Sequence, residues 1–379
     1  MYRIIGFVKK ETVFCISALV AIISAIFVPV SMKYFSYINY GVIGLLFSLM
    51  ASVAGFSSLG VFEYIASFLT SKTKSLNSLV FILWSICFFL SPVITNDVAL
   101  ITFVPLAILA LRAVDEEKLI PCTVVLQTVA ANLGGMLTPM GNPQNLLVYE
   151  KYELSVSEFI KITFPYFALS FILLLFTQLI LVRNKKIMVM GKKNTTGNKK
   201  LLLMYSFLTI LSVLSVLKFV DYRITALAVL VLMLIFDRKT LLKTDFFLLL
   251  TFIMFFIFVG NIAEIPQIRE FIQTFARGRE KELGILLSQF ISNVPCCTML
   301  SGFTDNYVSL LTGCNIGGLG SLIASLASLI SYKIYSESCE NKGRYVAVFT
   351  GVNIAFLIIL YLFSCFGMQS EFLLTKAFF

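Results

Sequence analysis

The sequence predicts an all-α integral membrane protein that is built from two related halves. Hydrophobic residues make up 59% of the 379 residues, the mean hydropathy is +0.93, and only 13% of the residues are charged. Soluble domains carry about 25% charged residues, so most of this chain belongs in a bilayer. The second observation is that a pair of polar interruptions occurs twice in the otherwise apolar sequence.

Each pair of interruptions consists of a hydroxyl–Asn dipeptide and a later Asn-x-Gly-Gly segment. Thr95-Asn96 matches Ser292-Asn293 at an offset of 197 residues, and the segment starting at Asn132 matches the segment starting at Asn315 at an offset of 183. At the second offset, Thr138 matches Ser321, Gly141 matches Ala324, Asn142 matches Ser325 and Asn145 matches Ser328. Interruptions in corresponding places of two halves are typical of transporter binding sites.

We therefore expect an inverted-repeat transporter fold with about nine full spans, two re-entrant hairpins and broken helices. The stretch 41–69 is expected to be one continuous span. The expected order is a first repeat at 1–182 with a hairpin near 76–111 and a broken helix near 118–149, a basic linker plus an extra span at 183–221, and a second repeat at 222–379 with a hairpin near 281–303 and a partly broken helix near 306–333.

The positive charges indicate topology. The net charge is +10, but Lys and Arg lie mostly in short loops between apolar runs, so we expect no nucleic-acid partner. The linker from Arg183 to Lys200 is basic and lacks acids, which predicts that it is cytoplasmic. Counting spans from there places the N-terminus in the cytoplasm. The expected location is the plasma (inner) membrane, as a multi-pass protein in contact with the lipid bilayer.

The composition excludes several kinds of chemistry. There is no His, which removes zincin and rhomboid-type catalysis, and the eight Cys show no metal-ligand spacing. An aspartyl protease needs two buried acids, and only Asp97 qualifies. We therefore expect no enzyme, no metal site and no cofactor other than Na⁺ or H⁺ as a coupling ion. A channel is the other class of protein to consider, and flux that saturates and depends on a co-ion gradient would exclude it.

The hairpin tips are the first candidate site. A helix that starts at membrane depth directs N–H groups toward an anion, and a helix that ends there directs carbonyls toward a cation. We expect the substrate to contact the tips and one residue of the broken helix: Thr95, Asn96, Asp97, Ser292, Asn293, Val294 and Asn142. The alternative is that the tip residues only cap a kink.

The Asn-x-Gly-Gly segments are the second candidate site, since Pro and Gly between Asn132 and Asn145 prevent a continuous helix. The freed carbonyls are expected to bind a coupling ion. The alternative for these small residues is close helix packing. The expected coupling-ion residues are Thr95, Asn96, Asp97, Thr138, Gly141, Asn142, Asn145, Ser292, Asn293, Ser321, Ala324 and Ser325.

Asp97 is the ionisable residue that the sequence places at a hairpin tip. An acid at membrane depth is a functional candidate, either as a cation ligand or as a proton carrier. The alternative is a carboxylate that local backbone N–H groups satisfy.

At these residues the chain resembles the ion transporter superfamily, specifically its citrate-transporter-like permeases. These include divalent anion/sodium symporters, with arsenite permeases and a Na⁺/H⁺ antiporter family as more distant relatives. The resemblance rests on Ile94–Leu100 and Asn132–Asn145 in the first half, and on Ser292–Pro295 and Asn315–Ser328 in the second. It implies two hairpins at a central site, a mobile transport domain and a scaffold domain that forms a homodimer.

The chain departs from these relatives at one position of each hairpin tip. In the symporters each tip reads Ser-Asn-Thr and binds carboxylate and Na⁺, whereas here the third position is Asp97 in one half and Val294 in the other. The resemblance and the residues together predict a secondary active transporter, a Na⁺- or H⁺-coupled carrier of a small anion with an elevator-type mechanism. The alternative is a Na⁺/H⁺ antiporter or an arsenite-type efflux permease.

Overall fold

The computed structural model describes residues 11–70, 73–183, 185–187 and 198–377, and every extended element in these ranges is helical. Residues 184 and 188–197 of the predicted basic linker lie outside the described residues. One isolated bridge pairs Ser75 with Lys186. The helices of the first half are α1 (Thr12–Phe27), α2 (Lys33–Tyr37), α3 (Tyr40–Ser58), α4 (Val61–Thr70), α5 (Leu76–Ile94), α6 (Asn96–Arg112), α7 (Ile120–Gly135), α8 (Pro143–Lys151) and α9 (Val156–Leu181).

The second half repeats this order of helices after one additional helix. Its elements are α10 (Lys199–Val216), α11 (Tyr222–Phe236), α12 (Arg238–Leu241), α13 (Phe246–Ala263), α14 (Pro266–Ala276), α15 (Glu280–Ile291), α16 (Asn293–Ser301), α17 (Tyr307–Gly317), α18 (Leu326–Ser338) and α19 (Lys342–Ala377). The inverted orientation of the halves, the re-entrant course of the hairpins and the domain limits stay predictions.

The expectation of an all-α membrane protein is confirmed. Six of the described helices are long and apolar enough to cross a bilayer, and two shorter apolar helices are Val13–Phe27 and Tyr222–Phe236. The six are Tyr40–Ser58, Leu76–Ile94, Val156–Leu181, Lys199–Val216, Phe246–Ala263 and Lys342–Phe366. The first arm of the first hairpin, α5, is thus itself as long as a spanning helix.

Short polar residues set where the apolar helices begin. Asn39, Ser75, Ser155, Asp245 and Asn306 each precede a helix and accept a hydrogen bond from a backbone N–H of its first turn. These N–H groups have no partner within the helix, so a side-chain acceptor stabilises each helix start by about 1 kcal/mol.

The stretch 41–69 differs from the predicted single span. Gly60 adopts a φ of +70°, which ends α3 at Ser58 and starts α4 at Val61. The helix α13 ends in the corresponding place and is followed by α14, an amphipathic helix that leaves Phe271 and Phe275 exposed. Each half therefore has a long apolar helix that breaks and continues as a short one before its hairpin.

The helices pack in two groups, which meet where α13 packs on α16 and α3 packs on α8. The long helices α1, α3, α10, α11 and α13 pack on one another, with Tyr205 buried against Gly55 and its hydroxyl donating to Asp237. The hairpins α5–α6 and α15–α16 pack instead on the broken helices α7–α8 and α17–α18, with α9 and α19 beside them. The broken helices are thus held mainly by the hairpins.

Glycines permit the closest contacts between the hairpins and the broken helices. A Cβ on Gly134 would lie 2.1 Å from the carbonyl oxygen of Phe88, and a Cβ on Gly317 would lie 2.7 Å from the carbonyl oxygen of Gly284. Gly134 and Gly317 are matched positions of the two halves, so both hairpins are seated by the same glycine of the Asn-x-Gly-Gly segment. Close packing, one alternative reading of this segment, is therefore part of its role.

Gly134→Ala should lower the thermal unfolding midpoint of the detergent-purified protein, because α5 must move away from α7. Forced overpacking costs about 1–3 kcal/mol. The matched control is Gly351→Ala on α19, where a new Cβ meets nothing within 4 Å. There the better helix propensity of Ala should leave the midpoint unchanged or raised. Equal midpoints for both variants would contradict the close seating of α5.

Candidate functional site

Both hairpins turn at a single residue with the same unusual backbone conformation. Thr95 has φ 72° and ψ 152°, and Ser292 has φ 71° and ψ 152°. This region favours glycine, and a β-branched or other substituted residue there is strained by about 1–3 kcal/mol. These two matched residues share both backbone angles, so the two hairpins turn in the same way.

Each hairpin turn is held by a hydrogen bond to the broken helix of its own half. The N–H of Asn96 donates to the carbonyl of Gly141 at 3.1 Å, and the N–H of Asn293 donates to the carbonyl of Ala324 at 2.9 Å. Gly141 and Ala324 are the positions that the sequence offset of 183 pairs. The first N–H of each returning helix therefore has the same partner in both halves.

A second matched bond fastens the broken segments to the hairpins. The Thr138 hydroxyl donates to the carbonyl of Pro92, and the Ser321 hydroxyl donates to the carbonyl of Gln289 at 3.0 Å. Thr138 and Ser321 are also paired by the offset. The helix of the second half was expected to be only partly broken, but α17 ends at Gly317 and α18 begins at Leu326, so the structure breaks it as fully as the first.

Asn132 connects the first hairpin to the interruption between α17 and α18, which is the break of the second half; the break of the first half lies between α7 and α8. Its side-chain oxygen accepts from Asn96 Nδ2 at 3.0 Å and from Ser325 Oγ at 3.0 Å. Its amide nitrogen lies 3.5 Å from Ser328 Oγ, to which it donates. Asn132, Ser325 and Ser328 are buried, so these bonds form away from water.

Asn315 makes the reverse connection, from the second half to the break of the first. Its amide nitrogen donates to Asn145 Oδ1 at 2.7 Å, and its side-chain oxygen accepts from Asn142 Nδ2 at 3.5 Å and from Gln144 Nε2 at 3.5 Å. Asn142 and Asn145 are the residues matched to Ser325 and Ser328. We call the set Asn132, Asn315, Asn142, Asn145, Ser325 and Ser328 the crossed network.

Helix ends supply partial charges of both signs at this place. Each hairpin turn and each break joins the end of one helix to the start of the next: α5 to α6 and α15 to α16 at the turns, α7 to α8 and α17 to α18 at the breaks. The starts offer N–H groups and a positive dipole end, whereas the ends offer carbonyls and a negative one. These helix ends can bind an anion next to a cation, although the crossed network itself contains no basic side chain.

Several buried oxygens at the breaks have no protein partner among the described residues. They are Ser292 Oγ, Asn142 Oδ1 and Ser91 Oγ. Ser91 precedes Thr95 by one helical turn, and its carbonyl accepts the N–H of Thr95. A buried oxygen without a partner costs about 1–3 kcal/mol, so these three atoms are candidate ligands of an ion or substrate by their place at the breaks; other unpaired buried oxygens, such as Thr123 Oγ1, lie elsewhere in the described residues.

The two hairpin tips differ in charge. Asp97 is half-buried in the first turn of α6, and its N–H donates to Asn96 Oδ1 at 2.9 Å. The matched residue Val294 is buried and apolar. The first tip therefore carries an acid at a helix start, whereas the second tip offers only a serine and an asparagine.

The structure places the predicted residues at two adjoining breaks. Asn96, Asn142, Asn145 and Ser325 have side chains joined through the crossed network. The backbone of Gly141 and Ala324 and the hydroxyls of Thr138 and Ser321 anchor the breaks instead. Thr95, Ser292, Asp97, Asn293 and Val294 form the two tips.

Four residues at the breaks have roles that our site prediction omitted. The motifs predict no ligand role for Asn132 and Asn315, although their matched positions in the two Asn-x-Gly-Gly segments are the signal that could have indicated one. Gln289 donates to the carbonyls of Gly317 and Leu319 and accepts from Ser321 N–H. Gln144 follows Pro143 in a run of polar residues, and nothing in the sequence distinguishes it from a helix-start residue.

Comparison with known proteins identifies a family and several relatives. The model of the citrate transporter family matches residues 3–308. An uncharacterized transporter of Methanocaldococcus jannaschii is 31% identical over 340 residues, covering 87% of this chain and 90% of that protein. The inner membrane protein YbiR of Escherichia coli is 28% identical over 335 residues, covering 87% and 89%. The P protein of Mus musculus is 29% identical over 121 residues, covering 31% of this chain and 14% of that protein.

Ser292→Gly should leave the thermal unfolding midpoint unchanged or raised. Glycine adopts the observed angle without strain, and Ser292 Oγ has no partner among the described residues that would be lost. The control is Ser288→Gly, one turn earlier in the regular part of α15, which should cost about 1–2 kcal/mol, because it lowers helix propensity and removes the hydrogen bond that the buried Ser288 hydroxyl donates to the carbonyl of Gly284. A loss of stability at Ser292 equal to that at Ser288 would show that the break is unstrained.

Proposed function

Since this chain belongs to the citrate transporter family, we propose that it is a cation-coupled secondary active transporter of a small anion. Family membership supports a carrier of small anions and argues against an enzyme. The coupling ion, the mechanism and the individual residue roles are parts of the proposal.

One observation carries the proposal: two hairpin turns with the same backbone angles lie against two broken helices that the crossed network joins. In a membrane protein, broken helices are tolerated only inside the protein or along a cavity, and in carriers they form the substrate and ion sites. The matched bonds of Asn96 to Gly141 and of Asn293 to Ala324 hold both hairpin turns against the broken helices in the same way. The reading of the tips as simple kink caps requires the Ser292 hydroxyl to pair with local backbone, whereas Ser292 makes no side-chain cap bond and its Oγ has no partner among the described residues.

We propose one cation site at each break, with Na⁺ as the coupling ion. The ligands are carbonyl, amide and hydroxyl oxygens, which suit a hard cation. The first site comprises Thr95, Asn96, Asp97, Thr138, Gly141, Asn142 and Asn145, and the second comprises Ser292, Asn293, Ser321, Ala324 and Ser325. None of the five second-site residues has a titratable side chain, which favours Na⁺ over a proton there. We add Ser91 to the first site, because its buried hydroxyl is unpaired.

The anion is proposed to bind between the two tips. The starts of α6 and α16 present N–H groups, and the amides of Asn96 and Asn293 can donate to a carboxylate or oxyanion. We expect Thr95, Ser292, Asn142, Asp97 and Val294 to contact the anion as well. Bound Na⁺ would supply the positive charge that the crossed network lacks.

The two packing groups support an elevator-type motion. The hairpins and broken helices form one group, and α1, α3, α10, α11 and α13 form the other. Each half connects the groups through a short helix after a break, α4 or α14. We propose that the first group moves as a body, that the second is the scaffold of a homodimer, and that the N-terminus is cytoplasmic in an inner (plasma) membrane.

Uptake into proteoliposomes tests the function. The full-length protein is assayed with citrate, dicarboxylates, monocarboxylates and small oxyanions, with an inward Na⁺ gradient, a pH gradient or neither. We expect saturable uptake of at least one anion that requires the Na⁺ gradient. Asn96→Ala and Asn293→Ala should abolish it without unfolding the protein. Uptake that is independent of every cation gradient, or near-normal uptake by both variants, would refute the proposal.

Asp97 favours a second candidate function, a Na⁺/H⁺ antiporter or an arsenite-type efflux permease. An acid at the start of α6 already provides the negative charge that a bound anion would bring. A site with a resident carboxylate is suited to a cation, a proton or a weakly charged substrate. Acidification driven by a Na⁺ gradient, with no anion uptake, would select this candidate.

Asp97→Asn should remove or sharply weaken the dependence of transport on the co-ion. The substitution removes the charge with little change of shape, and Asn can still accept backbone hydrogen bonds. The measurement is uptake against Na⁺ concentration and against pH. The control is Asp221→Asn, an exposed acid that caps α11 outside the breaks and should leave both profiles unchanged. Unchanged profiles for Asp97→Asn would remove this residue from the coupling mechanism.

A further inference from the structure

We propose that Asn132 and Asn315 are positioning residues that couple the two cation sites, so that Na⁺ at one break raises the affinity for Na⁺ at the other. The inference rests on the proposed function, because it takes the breaks as cation sites. It adds two residues for which neither ion nor substrate contact is proposed, and it predicts cooperative binding.

The first step of the argument is that the supports are exchanged between the halves. Asn132 belongs to α7 of the first half but bonds Ser325 and Ser328 of the second break. Asn315 belongs to α17 of the second half but bonds Asn142 and Asn145 of the first break. Neither break can change its shape without changing the bonds of an asparagine from the other half.

The second step is that the exchange also includes a hairpin tip. Asn132 Oδ1 accepts from Ser325 of the second break and, at the same distance of 3.0 Å, from Asn96 of the first tip. A cation that fixes Asn96 therefore fixes the orientation of the Asn132 amide. The fixed amide in turn holds Ser325, which is a proposed ligand of the second site.

The third step is energetic. The six side chains of the crossed network are buried, so a bond that opens leaves a polar group without water and costs about 1–3 kcal/mol. Ordering one break thus lowers the cost of ordering the other. A ligand that binds a partly ordered site then shows positive cooperativity, and such couplings change affinity by roughly 5- to 150-fold.

The chain provides a matched control, which is a buried amide whose hydrogen bonds stay within one half. Gln127 lies on α7 and donates to the carbonyls of Leu83 and Phe103, which belong to the two arms of the first hairpin. Its matched residue in the second half is Leu310. Gln127→Leu thus removes a buried amide from the same helix and inserts the residue that the other half already uses there.

The experiment measures equilibrium binding of radiolabelled Na⁺ to the purified full-length protein, with choline replacing Na⁺. The wild type should bind Na⁺ with a Hill coefficient above 1. Asn132→Ala and Asn315→Ala should each lower it to about 1 and raise the half-saturating concentration about fivefold or more. The double variant should resemble either single variant, because one lost support already breaks the coupling. Gln127→Leu should retain the wild-type Hill coefficient.

Asn132→Ser and Asn315→Ser replace the alanine variants if those do not fold. Serine keeps a donor and an acceptor but is shorter by one bond than asparagine, so the crossing bonds should still be lost. A wild-type Hill coefficient of 1, or cooperative binding that survives in both asparagine variants, would overturn this inference and leave the proposed function standing. A wild type that binds no Na⁺ would overturn both.

Discussion

The requirement that every polar group at a helix break has a partner organises this molecule. Inside a bilayer no water satisfies a free N–H or C=O, and each such group costs several kcal/mol. Two of the breaks lie beside the hairpins, and the crossed network supplies some of their partners from the opposite half: Asn132 holds Ser325, and Asn315 holds Asn145, which also donates to the carbonyls of Gly135 and Thr138 in its own half. The packing follows from this constraint, since the hairpins must lie against the broken helices closely enough to need glycine at 134 and 317.

The two breaks are alike in backbone but differ in side chains, which gives the halves different chemistry. The conformations of Thr95 and Ser292 agree within a few degrees, and both tips donate their next N–H to matched carbonyls. The first break is lined by amides and lies beside the tip that contains Asp97. The second break is lined by serines and lies beside the tip that contains Val294. On the proposed function, a shared backbone with one acidic and one neutral tip would let the carrier couple an ion to a second solute.

Much of the fold and part of the site followed from the sequence. Apolar length located the long helices, and the repeated hydroxyl–Asn and Asn-x-Gly-Gly motifs located both breaks, because Gly, Pro and polar residues interrupt helices in a predictable way. The crossed network did not follow, since Asn132 bonds residues nearly two hundred positions away, and only the docking of the halves decides that. The helix α14 was missed for a different reason: Pro266–Ala276 has the apolar spacing of an amphipathic helix, but it is too short and too polar to be a span, and the sequence prediction considered only spans and hairpins.

The most direct test of the account is hydrogen–deuterium exchange at the two breaks in the asparagine variants. The account predicts a crossed result: Asn315→Ala should speed exchange at residues 136–142 of the first half, and Asn132→Ala should speed it at residues 318–325 of the second. Each variant should affect its own half's break less. Faster exchange confined to the break in the same half as the substituted asparagine would contradict the central claim that each half holds the other.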